Sequence, residues 1–173
     1  SAFLALDSYV ELTGAGRVPL AEFVDMGYVR DVIEHVVVAK HDYRASYEAL
    51  RKAATDFPSL NVTAAWWDNT WHVTVGARPL RATLLQGEVC GLTSEQPSEN
   101  ELRALAASVR ALSYGTNRRR ISAPLAIQAV SRAAGIELSA ALAHELECVQ
   151  IPKFATDEYS CRRVPGVDSS EVR

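Results

Sequence analysis

Cysteine is scarce in this chain: Cys90, Cys148 and Cys161 are the only three among 173 residues, and no two form a Cys-x-x-Cys pair. An odd count without that spacing argues against a disulfide framework and a structural zinc site. Iron–sulfur clusters held by four thiolates need more cysteines than these. A cytoplasmic, reducing compartment is the expectation. No apolar run approaches the ~20 residues a membrane span needs, and Ser1 to Val10 has no basic region and meets Asp7 too early for a signal peptide. Net charge is only −3, so no whole-chain field draws the protein to nucleic acid or to a membrane surface. Arg118-Arg119-Arg120 lacks interleaved aromatics and reads as a solvated loop, or an anion or interface contact, rather than a nucleic-acid patch. No Gly-x-Ser-x-Gly elbow marks a hydrolase. His144-Glu145, with Glu147 and Cys148 nearby, lacks the second histidine that a zincin helix carries four residues on. His41-Asp42 and His72 have no nucleophile at a recognisable spacing. No catalytic residue and no metal ligand is therefore assigned.

What is present is the composition of a packed chain, 48% hydrophobic and 23% charged. Its length suits one domain, or one and a half. The apolar start, Ser1 to Leu6, looks like a strand entered in mid-fold. Ser8–Leu12 alternates as a strand does, Gly14-Ala15-Gly16 is a turn, and Val18-Pro19-Leu20 leads into a short segment ending at Phe23. Asp31–Val38 is β-branched and strand-like, with His35 as a half-exposed strand residue. Tyr43 to Ala54 is ambiguous. Tyr43, Tyr47, Leu50 and Ala54 have helical spacing, whereas the resemblance described below makes part of the segment extended. Pro58 stops any helix.

Leu60–Trp67 and Thr70–Val75 read as a β-hairpin across the two-residue loop Asp68-Asn69. Strand alternation sends Trp66 and Trp67 to opposite faces, one toward the core and one more exposed. Ser98–Leu112 reads as a helix. Ser98 and Glu101 form a capping-box pattern, and Leu102, Leu105, Ala106 and Val109 form an apolar stripe. A second helix is expected from about Pro124, suited to a first turn, to Ala134, with Gly135 as its stop. A third covers roughly Ser139–Val149, with Leu142, Ala143 and Leu146 inward. The polar stretch 151–173 shows no periodicity. Strands followed by helices indicate an α+β fold, a small antiparallel sheet packed on a helical bundle.

Four segments carry a family resemblance. The first is Leu4-Ala5-Leu6-Asp7-x-x-Val10-x-Leu12 followed by Arg17-Val18-Pro19-Leu20-x-x-Phe23. The second joins the basic doublet Arg51-Lys52 to Asp56-Phe57-Pro58. The third is Gly76-Ala77-Arg78-Pro79-Leu80-Arg81-Ala82, and the fourth is Tyr114-Gly115-Thr116-Asn117-x-Arg119-x-x-Ser122. In this order they resemble the C-terminal part of the FAD-binding subunit of molybdenum hydroxylases, the family of xanthine and carbon monoxide dehydrogenases. The resemblance covers roughly residues 2–135.

It implies three parts: residues 1–42 as the end of an FAD-binding domain, 43–150 as the flavoprotein C-terminal domain, and 151–173 as a polar tail. It implies FAD as the cofactor of the intact subunit, with Arg51, Lys52 and Asp56 near the flavin. A reduced flavin carries negative charge at its N1–C2 edge, where positive donors help, and Asp56 would orient them. The implied partners are an N-terminal FAD-binding half, a molybdenum-cofactor subunit and a [2Fe-2S] subunit, electrons passing from the clusters to FAD.

The family's glycine-rich pyrophosphate loops have no counterpart in this sequence, since Pro19 stands where a third glycine of a Gly14-x-Gly16 fingerprint would fall. The chain alone is therefore expected to bind FAD weakly or not at all. Unpaired strand edges in residues 1–42 are expected to pair with a second copy, giving a homo-oligomer, or to aggregate. The alternative is a non-catalytic, stand-alone assembly domain that kept the fold without the flavin. Two features motivate it: the compressed Gly27-Tyr28 loop, and Glu48, a negative charge near where the family carries a lysine.

Overall fold

The computed structural model describes residues 1–27, 30–51, 53, 55–77, 80–112 and 116–145. The short helix α1 (Ala2–Ala5) leads into β1 (Ser8–Leu12), β2 (Gly16–Pro19), α2 (Leu20–Asp25) and β3 (Ile33–Val38). These three strands form an antiparallel sheet in the order β2-β1-β3. The apolar start is thus a helical turn that buries Leu4 and Ala5 rather than a strand, and the segment through Phe23 is a strand joined to a helix.

A second antiparallel sheet follows in simple sequential order: β4 (Arg44–Leu50), β5 (Leu60–Trp67), β6 (Thr70–Ala77) and β7 (Leu80–Gln86). The ambiguous segment from Tyr43 is therefore extended. Pairing with β5 along its whole length, from Arg44↔Trp66 to Leu50↔Leu60, outweighs the accidental helical spacing of its apolar residues. The β5–β6 hairpin closes where expected. Asp68 and Asn69 both take positive φ, 50° and 52°, the two left-handed residues of a type I′ turn whose twist suits the strands. The hairpin runs to Ala77, two residues beyond the expected end, and β7 has no counterpart in the sequence reading.

Alternation gives this sheet two covered faces. Leu60, Val62, Ala64, Trp71, Val73 and Val75 point toward the helices and are buried. Asn61, Thr63, Ala65, Trp67, His72 and Thr74 point the other way, where Ser1 and α1 lie. Trp66 and Trp67 do lie on opposite faces, but both are half-buried; the fully buried indole is Trp71, whose Nε1 donates to the Ser94 carbonyl at 2.8 Å.

A 3₁₀ turn (Gly87–Cys90) precedes α3 (Glu99–Leu112), α4 (Thr116–Ala134) and α5 (Ala140–Glu145). The capping box is present: Ser98 N–H donates to Glu101 Oε2 at 2.8 Å, and Glu101 N–H to Ser98 Oγ at 3.4 Å. The stripe Leu102, Leu105, Ala106 and Val109 is buried. Helix α4 starts eight residues before Pro124, so Arg118–Arg120 belong to its first turns and not to a loop. Pro124 lies inside the helix and cannot donate to the carbonyl of residue 120. Burial of the unbroken run 122–127 between α3 and the sheet holds the helix through that defect. Helix α5 buries Leu142 and is capped by Ser139 Oγ, which accepts from Leu142 N–H at 3.2 Å. Leu146–Val149 and the tail 151–173 lie outside the described residues, as do Cys148 and Cys161. Among the described residues, no helix is long and apolar enough to cross a membrane.

Candidate functional site

Strand register places two of the four motif segments at one end of the four-stranded sheet. The pairs Leu50↔Leu60, Asn61↔Gly76 and Ala77↔Leu80 put the β4–β5 loop and the β6–β7 connection side by side there. The Asp68-Asn69 turn lies at the opposite end. Arg81, at the start of β7, reaches from the first end to the C-terminus of α2. Its Nη1 donates to the Val24 carbonyl at 2.8 Å and to the Met26 carbonyl at 3.5 Å.

Arg51 stands half-buried immediately after β4, and its Nη1 makes a long bond, 3.4 Å, to the Asp56 main-chain carbonyl. Asp56 is exposed. Among the described residues no salt bridge joins the two side chains, so orientation of Arg51 comes from the Asp56 backbone and not from its carboxylate. Lys52 lies outside the described residues. Phe57, which follows Asp56, is 76% exposed.

Glu48 does not face this end of the sheet. It is fully buried beneath α4, where Arg132 Nη1 contacts its Oε1 at 2.6 Å and Ser46 Oγ donates to the same oxygen at 3.5 Å. A buried carboxylate requires such a partner. The negative charge therefore belongs to the packing of the helix on the sheet.

Gly76, the first residue of the third segment, has a packing reason. A Cβ there would stand 2.3 Å from Asn61 Oδ1 and 3.3 Å from Ser1 Cβ. Asn61 Oδ1 accepts the Ser1 hydroxyl at 2.5 Å, so a side chain at 76 would push apart the contact between the sheet and the N-terminal segment.

The Gly14–Gly16 turn is committed to its own chain. Gly14 N–H donates to both Asp31 carboxylate oxygens at 3.1 Å, Ala15 N–H to Oδ2 at 3.0 Å, and Val32 N–H to Oδ1 at 2.8 Å. The Val32 bond, with those from Ala15 and Gly14, holds the Asp31 carboxyl below its ordinary range. Amides that would cradle a phosphate are already occupied by this carboxylate. The donor chemistry among the described residues thus fits the edge of a flavin ring, through the planar five-donor fork of Arg51, and this turn does not fit its diphosphate.

An aromatic node, absent from the sequence reading, sits at the opposite end of the sheet. His72 stacks on Trp67 with centroids 4.1 Å apart, and His41 stacks on Trp67 at 5.1 Å. His41 Nε2 contacts Asp7 Oδ2 at 2.8 Å. Trp67 Nε1 donates to the Ala5 carbonyl at 3.0 Å. The Tyr43 hydroxyl donates to the Ala39 carbonyl at 2.8 Å and accepts from Asp7 N–H at 3.2 Å. Burial lowers the His72 pKa and raises that of Tyr43. The node ties the two sheets together and presents no nucleophile–base pair. His144 is exposed, and Glu145 is held by Arg103 at 2.9 Å. Among the described residues no group of three or more His, Cys, Asp or Glu is placed to hold a metal ion.

No protein-family profile matches the chain, and no curated protein is significantly similar to it. Among the solved structures similar in fold are two carbon monoxide dehydrogenases. One is a chain of the carbon monoxide dehydrogenase from Hydrogenophaga pseudoflava that lacks the Mo-pyranopterin moiety of the molybdenum cofactor. The TM-score is 0.60 at 15% identity, over 76% of this chain and 54% of that one. The other is a chain of a cyanide-inactivated Cu,Mo-CO dehydrogenase, with a TM-score of 0.55 at 16% identity, over 78% of this chain and 55% of that one. This chain thus spans about half the length of the solved chains it matches. The α+β architecture expected from the sequence is the observed one, and it is the fold of those carbon monoxide dehydrogenase chains.

Proposed function

We propose that this chain is the C-terminal portion of the FAD-binding subunit of a molybdenum-hydroxylase-type oxidoreductase. In that reading residues 1–42 end an FAD-binding domain, residues 43–150 form the flavoprotein C-terminal domain, and residues 151–173 are a tail. The observation that carries it is the convergence, at one end of the four-stranded sheet, of the Arg51–Pro58 loop, the β6–β7 connection and the α2 terminus. The first two belong to segments that resemble the family and the α2 terminus directly follows another, and the fold likeness supports the same reading. The bound FAD would supply electron transfer from [2Fe-2S] clusters to an acceptor.

The chain's own part is electrostatic. Arg51 presents a permanent positive charge and hydrogen-bond donors to the N1–C2 edge of the ring, where reduction accumulates negative charge. Lys52, next in sequence, would add charge, and Arg51 donates to the Asp56 main-chain carbonyl. Phe57 offers an apolar surface that excludes water from the ring face. The diphosphate would be held by an N-terminal FAD-binding half, and the remaining partners are a molybdenum-cofactor subunit and a [2Fe-2S] subunit. The second reading, an assembly domain without flavin, loses one of its two supports, because Glu48 serves the helix–sheet contact.

The test is the visible absorption spectrum of the purified chain with added FAD, alone and mixed with an N-terminal FAD-binding half. Flavin retained through gel filtration only in the mixture is the expected result, with Arg51→Met weakening it. Stoichiometric flavin on the chain alone would overturn the split of the site between two halves. No flavin in either case would overturn the oxidoreductase reading.

A further inference from the structure

Arg81 is exposed, yet its guanidinium turns to main-chain carbonyls 57 and 55 residues away in sequence. Val24 lies in the last turn of α2 and Met26 is its C-cap, already extended at φ −61° and ψ 143°. A helix end leaves its last carbonyls without intrahelical donors, and a cation is favoured beside them. A planar fork can serve two carbonyls at once, which an ammonium point charge does less well.

The two ends of this contact belong to different sheets. Helix α2 packs on β1 and β2, whereas Arg81 sits in β7 beside the β6–β7 connection, at the end that carries Arg51. With Arg81 in place, residues from both units wall the same end of the four-stranded sheet.

We propose that Arg81 is a positioning residue: it holds the α2 terminus against the sheet end that carries Arg51, so that a flavin ring bound there meets both units at once. This rests on the flavin reading of that end. Arg81 acts through the Val24–Met26 carbonyls and needs no contact with the ring.

The test uses the full chain as wild type, Arg81→Met, Arg81→Lys and Arg51→Met, each mixed with an N-terminal FAD-binding half, with FMN as a probe that carries the ring without the diphosphate. Hydrogen exchange at the Met26 amide, which bonds Glu22 O at 3.0 Å, reports the clamp. Quenching of FMN fluorescence reports affinity, and amides of β5 and β6 report global stability. Arg81→Met is expected to speed Met26 exchange, leave the β5 and β6 amides unchanged and weaken FMN about fivefold or more. Arg81→Lys should keep part of both. Arg51→Met should weaken FMN with Met26 exchange unchanged. Unaltered Met26 exchange in Arg81→Met overturns the clamp. Faster exchange with unaltered FMN affinity overturns the positioning role alone. Absence of FMN binding by the wild type overturns the flavin reading and the positioning role together, while Met26 exchange still shows whether Arg81 holds α2.

Discussion

The two sheets are held by different forces. The four-stranded sheet shares one apolar core with α3, α4 and α5, and every member of that core lies between Leu60 and Leu142. The three-stranded sheet buries Val10 and Leu12 from its central strand but leaves Ile33 and Val36 of β3 46% and 50% exposed. Polar ties to its neighbour do much to hold it in place: Trp67 to Ala5, Tyr43 to Asp7 and Ala39, Asn61 to Ser1, and Arg81 to the end of α2. Such bonds contribute ~0.5–1.5 kcal/mol each, whereas a fully buried large side chain contributes several-fold more. One unit carries its own stability. The other takes its position from a handful of directional contacts, and those contacts cluster at the two ends of the larger sheet.

The largest effect belongs to the core. Trp71→Ala removes a fully buried indole and its bond to Ser94, and is expected to cost ~3–5 kcal/mol in denaturant unfolding. The matching change on the other sheet, Val36→Ala on β3, is expected to stay within ~0.5 kcal/mol. A comparable loss from both would mean that β3 is covered in solution, and the contrast between the units would collapse.

The helix–sheet contact comes next. Arg132→Met removes the Arg132 guanidinium from the buried Glu48 carboxylate, at an expected cost of ~1–3 kcal/mol. The double variant Arg132→Met/Glu48→Met should be more stable than Arg132→Met alone, because it removes the buried charge as well. A double variant less stable than either single one would show that the carboxylate serves packing in some other way.

The same contact shows what the sequence could and could not convey. Short-range chemistry was readable. Asp68-Asn69 between alternating strands specified the hairpin, and Ser98 with Glu101 specified the start of α3. Long-range partners were not. Glu48 read as a misplaced charge because Arg132 is 84 residues away, and the role of Arg81 was hidden because its acceptors are main-chain carbonyls of a distant helix. Misjudged elements have equally physical causes. Pro124 suits a first turn locally, but burial around α4 carries the helix back to Thr116. Tyr43, Tyr47 and Leu50 have helical spacing by coincidence, and pairing with β5 decides for a strand. Of the site residues, Arg51 and Asp56 fall at the sheet end where the motifs converge, but their contact is through the backbone rather than between charges.

A smaller effect separates the two carboxylates that close backbone turns, Glu101 in the first turn of α3 and Asp31 just before β3. Burial disfavours the charged Glu101, but hydrogen bonds from Ser98 and Thr93 outweigh it and hold the carboxyl far below its ordinary value. Glu101→Ala is expected to lower stability by ~1–2 kcal/mol. Asp31→Ala should instead loosen the β1–β2 turn locally, read as faster exchange of the Gly14 and Ala15 amides, with the global midpoint nearly unchanged. A global loss from Asp31→Ala would mean that the two sheets unfold as one cooperative unit.

Acidification should reveal the smallest difference, because His72 and Glu101 lose their contributions in different windows. Burial lowers the His72 pKa below its ordinary 6.5, so the folded chain binds a proton there less readily than the unfolded one. Its contribution is fully present above pH 6.5 and falls as pH drops toward the folded value. Glu101, also depressed, begins to lose its contribution only below the ordinary 4.5. Protonating His72 puts a charge against Trp67 at the node that ties the sheets, so the first loss on acidification should be local. It is expected as faster exchange at the β1 amides as pH falls below 6.5, while the β5 and β6 amides keep their protection. His72→Gln should remove that early step and leave the later loss near pH 4 intact. An early step that persists in His72→Gln would assign it to another group.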